Sequence, residues 1–157
     1  MRVKNVMTKD PSCCVPSDTA PRAASIMRNE DAGSVPVVDN EQSQRVVGIV
    51  TDRDLCMNIV AEGRDPNTVT VAECMTTTVV TCSPNDSVQK ATELMRENQI
   101  RRVPVVDGEG RLQGIVSMAD LVGRGELKTT ETHQTLQEVS APTAVPSKPR
   151  ARSRRAA

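Results

Sequence analysis

The sequence predicts an α/β protein in which one strand-helix-strand-strand-helix unit is written twice. Three observations carry this reading. The run VPVVD occurs at Val35 to Asp39 and again at Val103 to Asp107, 68 positions later. Each copy is followed by a Gly-Ile-Val run, then a hydroxyl residue, with an Asp three positions beyond it: Gly48 to Thr51 with Asp54, and Gly114 to Ser117 with Asp120. Other residues keep the 68-residue offset, among them Met7 with Met75, Pro16 with Pro84, Asp18 with Asp86 and Met27 with Met95. Self-similarity at a long period marks one structural unit repeated.

Each unit opens on a lead-in, Val3 to Met7 and Val71 to Met75, read as a single helical turn. Thr70 with Glu73 three residues on is a capping-box pattern. Cys13 to Val15 and Val79 to Cys82 read as short strands ended by proline. A helix follows. Asp86 is its expected N-cap in the second copy, with Val88, Ala91, Leu94 and Met95 on one face. In the first copy Asp18 caps, Pro21 lies in the tolerated first turn, and Ala23, Ile26 and Met27 form the stripe. Gly33 is the expected left-handed residue that ends it. The VPVVD runs are near-continuous apolar strands, so both faces should be covered. Pro36 and Pro104 suit a strand's start, where no ladder donor is needed. Val46 to Val50 and Leu112 to Val116 complete antiparallel hairpins. The last helices carry Leu55, Ile59 and Val60, and Met118, Leu121 and Val122, as apolar faces. Gly63 to Asn67 links the repeats. The expected divisions are residues 1–66, 67–125 and a tail, 126–157, that is read as disordered because its composition cannot bury enough apolar surface.

The chain has 157 residues, and a unit of about 60 buries only a marginal core alone. The two copies are therefore expected to pack on each other. No Trp, Tyr or Phe is present, so any nucleobase must lie between aliphatic groups and backbone. Residues 1–125 hold 14 Lys+Arg against 17 Asp+Glu, a net of −3, and residues 126–157 hold 6 against 3, a net of +3. The repeats are no broad trap for nucleic acid. Five positive charges fall within Lys148 to Arg155, read as a solubilising end in preference to a nucleic-acid contact, because no aromatic residue interleaves for stacking. Five cysteines without CxxC spacing argue against a disulfide framework or zinc knuckle, and Cys14 and Cys82, at matching positions, read as small buried hydrophobes. Redox pairing or metal binding through Cys13 and Cys14 is the less favoured alternative. No signal peptide or membrane-length apolar run is visible, and the expected compartment is cytoplasmic.

The lead-in Met-Thr, the hydrophobe-Pro-Val-Val-Asp run and the Gly-Ile-Val-Thr/Ser-x-x-Asp run each occur twice, in order, over roughly residues 3–125. They resemble the cystathionine-β-synthase (CBS) domain family, arranged as a tandem pair or Bateman module. The resemblance implies two repeats related by a pseudo-two-fold axis and packed through their sheets, often stacked again as a homodimer. It implies an adenosine-containing ligand (AMP, ADP, ATP, NAD or S-adenosylmethionine) in the clefts between repeats, with Asp54 and Asp120 on ribose and Thr51 and Ser117 reaching phosphate or ribose. A carboxylate accepting from a vicinal diol contributes about 1.5–3 kcal/mol per charge-assisted bond. The helix N-terminus adds free N–H groups. The plainer role of Thr51 and Ser117 is helix capping, and one hydroxyl can serve both. Val35, Pro36, Val103 and Pro104 complete the expected binding set. Arg53, Arg101 and Arg102 suit a di- or triphosphate; their alternative is a solvated surface role. Met118 and Ala119 replace Asp52 and Arg53, so the clefts should differ.

No catalytic constellation, metal-ligand spacing or P-loop is present, and His133 lies alone in the tail. The expected function is a regulatory sensor, not an enzyme, with no required cofactor and an adenine nucleotide as its ligand. Its expected partners are a second copy of itself and an unidentified protein, with no membrane. The alternatives are a ligand-free interaction protein acting as a homodimer, or a nucleic-acid-associated protein acting through the tail.

Overall fold

A computed structural model describes residues 1–123 and 137–140. Its strands are β1 (Thr8–Lys9), β2 (Ser34–Val38), β3 (Val46–Thr51), β4 (Arg102–Val106) and β5 (Leu112–Ser117). Its helices are α1 (Ala20–Asn29), α2 (Asp52–Leu55), α3 (Val71–Cys74), α4 (Val88–Glu97) and α5 (Met118–Gly123), and α2 continues into a π-turn over Cys56–Val60. The two hairpins are copies of one another. Val35 faces Val50 and Pro36 faces Ile49, as Val103 faces Val116 and Pro104 faces Ile115, and each register shifts at the last pair. Every residue of β2 is buried, the polar Ser34 together with the apolar run Val35 to Val38. The prolines sit at mid-strand, not at the start. Each is on the strand's outer edge, where its carbonyl accepts from Cys14 N–H at 3.0 Å or Cys82 N–H at 3.1 Å. No ladder donor is needed on that side. The strands expected at Cys13 to Val15 and Val79 to Cys82 reduce to these single parallel bridges, Cys14 with Val37 and Cys82 with Val105.

The repeats are joined by exchange. The lead-in Val3–Asn5 is a 3₁₀ turn whose Val3 and Val6 lie in the core of the second repeat, with Val88, Met95, Val103 and Val116. The second lead-in, Val69 to Cys74, lies in the core of the first, with Ala23, Met27, Val35 and Val50. Backbone bonds repeat at the same offset: Val3 N–H to Asp86 at 2.9 Å and Val71 N–H to Asp18 at 2.8 Å. Beyond each turn the chain pairs with the other repeat's hairpin, Thr8 with Ile115 in β1–β5 and Thr76 with Ile49. The sheets are thus β1-β5-β4 and β2-β3. Each core draws on both sides of the sequence boundary at 66/67. Neither small core closes without the other repeat's lead-in.

This crossing explains two sequence marks at once. Gly48 and Gly114 sit beneath the lead-in methionine of the opposite repeat. A Cβ at Gly48 would lie 2.7 Å from Met75 Sδ, and one at Gly114 would lie 2.7 Å from the Thr8 carbonyl and 2.8 Å from Met7 Sδ. The Met of Met-Thr and the Gly of Gly-Ile-Val are partners across the pair.

Three local expectations are corrected. The N-caps are Thr19 and Ser87, one residue after Asp18 and Asp86. The carboxylates instead close the preceding turns, accepting from Val15 N–H at 2.9 Å and Ser83 N–H at 2.8 Å. Short polar side chains offer the backbone such competing local bonds. The left-handed residues after α1 and α4 are Asp31 and Gln99, not Gly33. Val60 is 74% exposed, because the i→i+5 bonding of the π-turn carries it off the face that buries Ile59.

The capping box at α3 is as expected. Glu73 accepts from Thr70 N–H at 2.8 Å and from Arg64 Nη2 at 2.5 Å. These bonds, the Thr70 amide first, hold its carboxyl down from an ordinary 4.5 to about 2. A lowered folded-state value means the box stabilises above the ordinary value and loses that contribution as pH falls. Glu73→Ala is therefore expected to melt below the unaltered chain at neutral pH, with the gap narrowing below pH 4.5 and closing near pH 2.

Among the tail residues, 137–140 form a helical turn. Val139, 7% exposed, enters the second core, and Glu138 pairs with Arg96 at 2.6 Å. Val139 and Glu138 thus contact the second repeat, while residues 137 and 140 are exposed; the rest of the tail, with His133 and Lys148 to Arg155, lies outside the described residues. Deleting the chain from Glu126 should lower unfolding stability by about 1.5 kcal/mol, the value of one buried valine. Denaturant melts of full-length and truncated protein measure it.

Candidate functional site

The hydroxyl-x-x-Asp motifs lie where β3 enters α2 and β5 enters α5. Thr51 N–H and Oγ1–H both donate to Asp54 Oδ2 at 2.9 Å, while Asp54 N–H donates to Thr51 Oγ1 at 3.1 Å. Ser117 and Asp120 repeat this: 2.8 and 2.6 Å to Oδ2, and 3.2 Å in return. This is a capping box made with Asp in place of Glu. It consumes one carboxylate oxygen and the helix's Asp54 amide. Among the described residues nothing donates to Oδ1 of either Asp. Each carboxylate therefore keeps one oxygen without a donor among the described residues.

Two cavities open at these boxes, and they are pseudo-symmetry copies. The first, about 740 Å³, is lined by Thr51 to Asp54, Ile49, Gly33, Ser34, Thr76, Thr78 to Val80, Gln99 to Arg102 and Pro104. The second, about 530 Å³, is lined by Ser117, Ala119, Asp120, Ile115, Thr8 to Ser12, Glu30 to Ala32, Ser34, Pro36 and Arg102. Each cleft combines the box of one repeat with the proline and lead-in of the other. Pro104 thus faces Thr51 and Asp54, and Pro36 faces Ser117 and Asp120. Arg53, Arg101 and Arg102 all reach the Thr51 cleft, and only Arg102 also lines the Ser117 cleft.

Val35 and Val103 do not join the set. Both are wholly buried in the cores and line neither cleft, because alternate strand residues point inward while the prolines point to the cavity. Sequence reading missed Thr76 to Val80 and Thr8 to Ser12. Their signal was the repeated Met-Thr, but its crossing to the other repeat has no local sequence mark. In the Thr51 cleft, Val79, Val80, Ile49 and Ile100 supply aliphatic walls. The Ser117 cleft has Pro11, Ser12 and Ala32 at the positions equivalent to Val79, Val80 and Ile100.

All five cysteines are free thiols. Burial pushes Cys14 and Cys82 up to about 11, and Cys13 is also raised, by burial and then by Asp18 and Glu41. A raised thiol carries little thiolate, so Cys14 and Cys82 behave as the core hydrophobes expected. Among the described residues no group of three or more His, Cys, Asp or Glu stands close enough to hold a metal ion, and no helix is long and apolar enough to cross a membrane.

Comparison with known proteins identifies the family. The CBS domain family matches residues 3–61 and 71–125. The CBS domain-containing protein YhcV of Bacillus subtilis is 37% identical over 141 residues, covering 85% of this chain and 97% of its own. Hypoxic response protein 1 of Mycobacterium tuberculosis is 36% identical over 118 residues, 75% of this chain and 80% of its own. The crystal structure of Hypoxic Response Protein I, which carries two coordinated zinc ions, superposes with a TM-score of 0.71 at 34% identity, covering 78% of this chain and 98% of that one. The CBS domain pair of protein MJ0100, in complex with 5′-methylthioadenosine and S-adenosyl-L-methionine, also gives 0.71, at 27% identity, 81% of this chain and 98% of that one. With both repeats matched and the fold shared, the chain belongs to the CBS domain family as a tandem pair.

Proposed function

We propose that this CBS pair is a regulatory sensor that binds an adenosine-containing ligand (AMP, ADP, ATP, NAD or S-adenosylmethionine) in the clefts between its repeats. The observation that carries the reading is the pair of equivalent cavities, each with a capped Asp holding one carboxylate oxygen in reserve. A ribose hydroxyl suits that oxygen. Aliphatic walls suit a base where no aromatic residue exists, and arginines with no ion pair among the described residues suit phosphate. The MJ0100 pair, a relative of the same fold, holds two adenosine derivatives. Regulation follows if the ligand prefers one of two arrangements of the pair or its partner; equal affinity would shift nothing. The role proposed is binding, since the hydroxyl and one carboxylate oxygen of each box are engaged in capping the helix that follows.

The test is to identify what co-purifies. The chain has no Trp, Tyr or Phe, so retained base dominates its near-ultraviolet absorbance. An adenosine compound released on denaturation supports the reading. A second reading, an interaction protein, is favoured by a separate surface. Pro21, Ala24, Met27, Leu55, Ile59 and Val60 line a mostly apolar groove of about 820 Å³, in which Val60 is 74% exposed. A homodimer through this face, burying more than about 1,000 Å², is expected. Sedimentation should give twice the chain mass, and Val60→Asp should shift it toward monomer.

A further inference from the structure

The two clefts share one cation. Ser34 and Arg102 occupy equivalent positions in β2 and β4, and both line both cavities. Ser34 is 6% exposed, and its hydroxyl has no hydrogen-bond partner among the described residues. Arg102 has no ion pair among them. Its backbone lies directly across from Ser117, the box of one cleft. Its guanidinium reaches the other: Nη1 stands 3.2 Å from where a Cβ on Gly33 would be, as does Asp52 Oδ2. Gly33 gives it that room.

The remaining lining divides by sign. The Thr51 cleft sets Arg53, Arg101 and Arg102 against Asp52 and Asp54. The Ser117 cleft sets Lys9 against Asp10, Glu30, Asp31 and Asp120 once Arg102 is engaged elsewhere.

We propose that Arg102 is a counter-charge shared by the two clefts. An adenosine polyphosphate in the Thr51 cleft holds it there and leaves the Ser117 cleft selective for an uncharged or cationic adenosine ligand. The proposal rests on the adenosine-sensor reading and names the ligand class of each site. Arg53 and Arg101 remain in the Thr51 cleft and Lys9 in the Ser117 cleft, but the one Arg102 guanidinium cannot serve phosphate in both at once, so anion occupancy of one opposes anion occupancy of the other. Coupling of this kind is reciprocal and typically about 5- to 150-fold.

The experiment is calorimetry on the full, nucleotide-free chain, with ATP, AMP, 5′-methylthioadenosine and S-adenosylmethionine as probes. Asp54→Asn and Asp120→Asn assign each heat to its cleft. Saturating ATP should weaken AMP at the Ser117 cleft about fivefold or more, and leave 5′-methylthioadenosine and S-adenosylmethionine unaffected or strengthened. Arg102→Ser, which places the same residue at both equivalent positions, should abolish that coupling. Arg102→Lys should retain part of it, and Arg101→Ser should weaken ATP while leaving the coupling in place. Thermal melts confirm that each variant folds; if Arg102→Ser does not, the wild-type ligand pairs decide alone. Two equivalents of ATP binding with equal, independent affinity, or coupling that survives Arg102→Ser, overturns the shared-cation proposal and leaves the sensor reading intact. No binding by any probe overturns both.

Discussion

Replacing Gly114 by alanine is expected to destabilise the pair by about 1–3 kcal/mol, the range for forcing a methyl into a filled site. The added Cβ would meet the Thr8 carbonyl at 2.7 Å and Met7 Sδ at 2.8 Å. The sulfur can rotate away; the carbonyl belongs to β1, which is paired to β5, and cannot move without loosening that pairing. Gly48→Ala should cost less, since its nearest neighbour is the flexible Met75 Sδ at 2.7 Å and the Thr76 carbonyl lies at 3.2 Å. Denaturant midpoints of the two variants would show the difference. Because β1 also carries Thr8 and Lys9 into the Ser117 cleft, Gly114→Ala should disturb ligand binding there more than at Thr51.

Asp54→Asn is expected to weaken an adenosine ligand in the Thr51 cleft by about 1.5–3 kcal/mol, or roughly 10- to 150-fold. An asparagine oxygen can still accept from Thr51 N–H, so the helix cap is retained. What is lost is the charged acceptor at Oδ1. Asp120→Asn should do the same in the Ser117 cleft. Calorimetry separates the two through their different heats, and near-unchanged melting temperatures without ligand would place the loss in binding and not in folding.

The hairpins and the Thr51 and Ser117 boxes were legible because each rests on short-range spacing: an apolar run, a loop, a second run, then hydroxyl-x-x-Asp. The caps at α1 and α4 were displaced by one residue because Asp18 and Asp86 bond backward to Val15 and Ser83, a choice local propensity does not rank. The crossing of the lead-ins was not legible. Val3 and Val71 look alike in sequence, and nothing local says that each enters the other repeat's core. That crossing decides the lining of both clefts, which is why Thr8 to Ser12 and Thr76 to Val80 were missed. Val35 and Val103 were placed in the site because they share a run with Pro36 and Pro104. The alternation of a strand sends them to the core instead.

The Thr51 cleft is proposed to bind an adenosine phosphate through Asp54 and the arginines. The measurement that tests it most directly is titration of the full, nucleotide-free chain with AMP and ATP, alongside the Arg101→Ala, Arg102→Ala double variant. Saturable binding below millimolar is expected, with ATP losing more affinity than AMP in the double variant because more of its charge faces the lost guanidinium groups. Absence of binding by either nucleotide below millimolar, or equal losses for both in the variant, would contradict it.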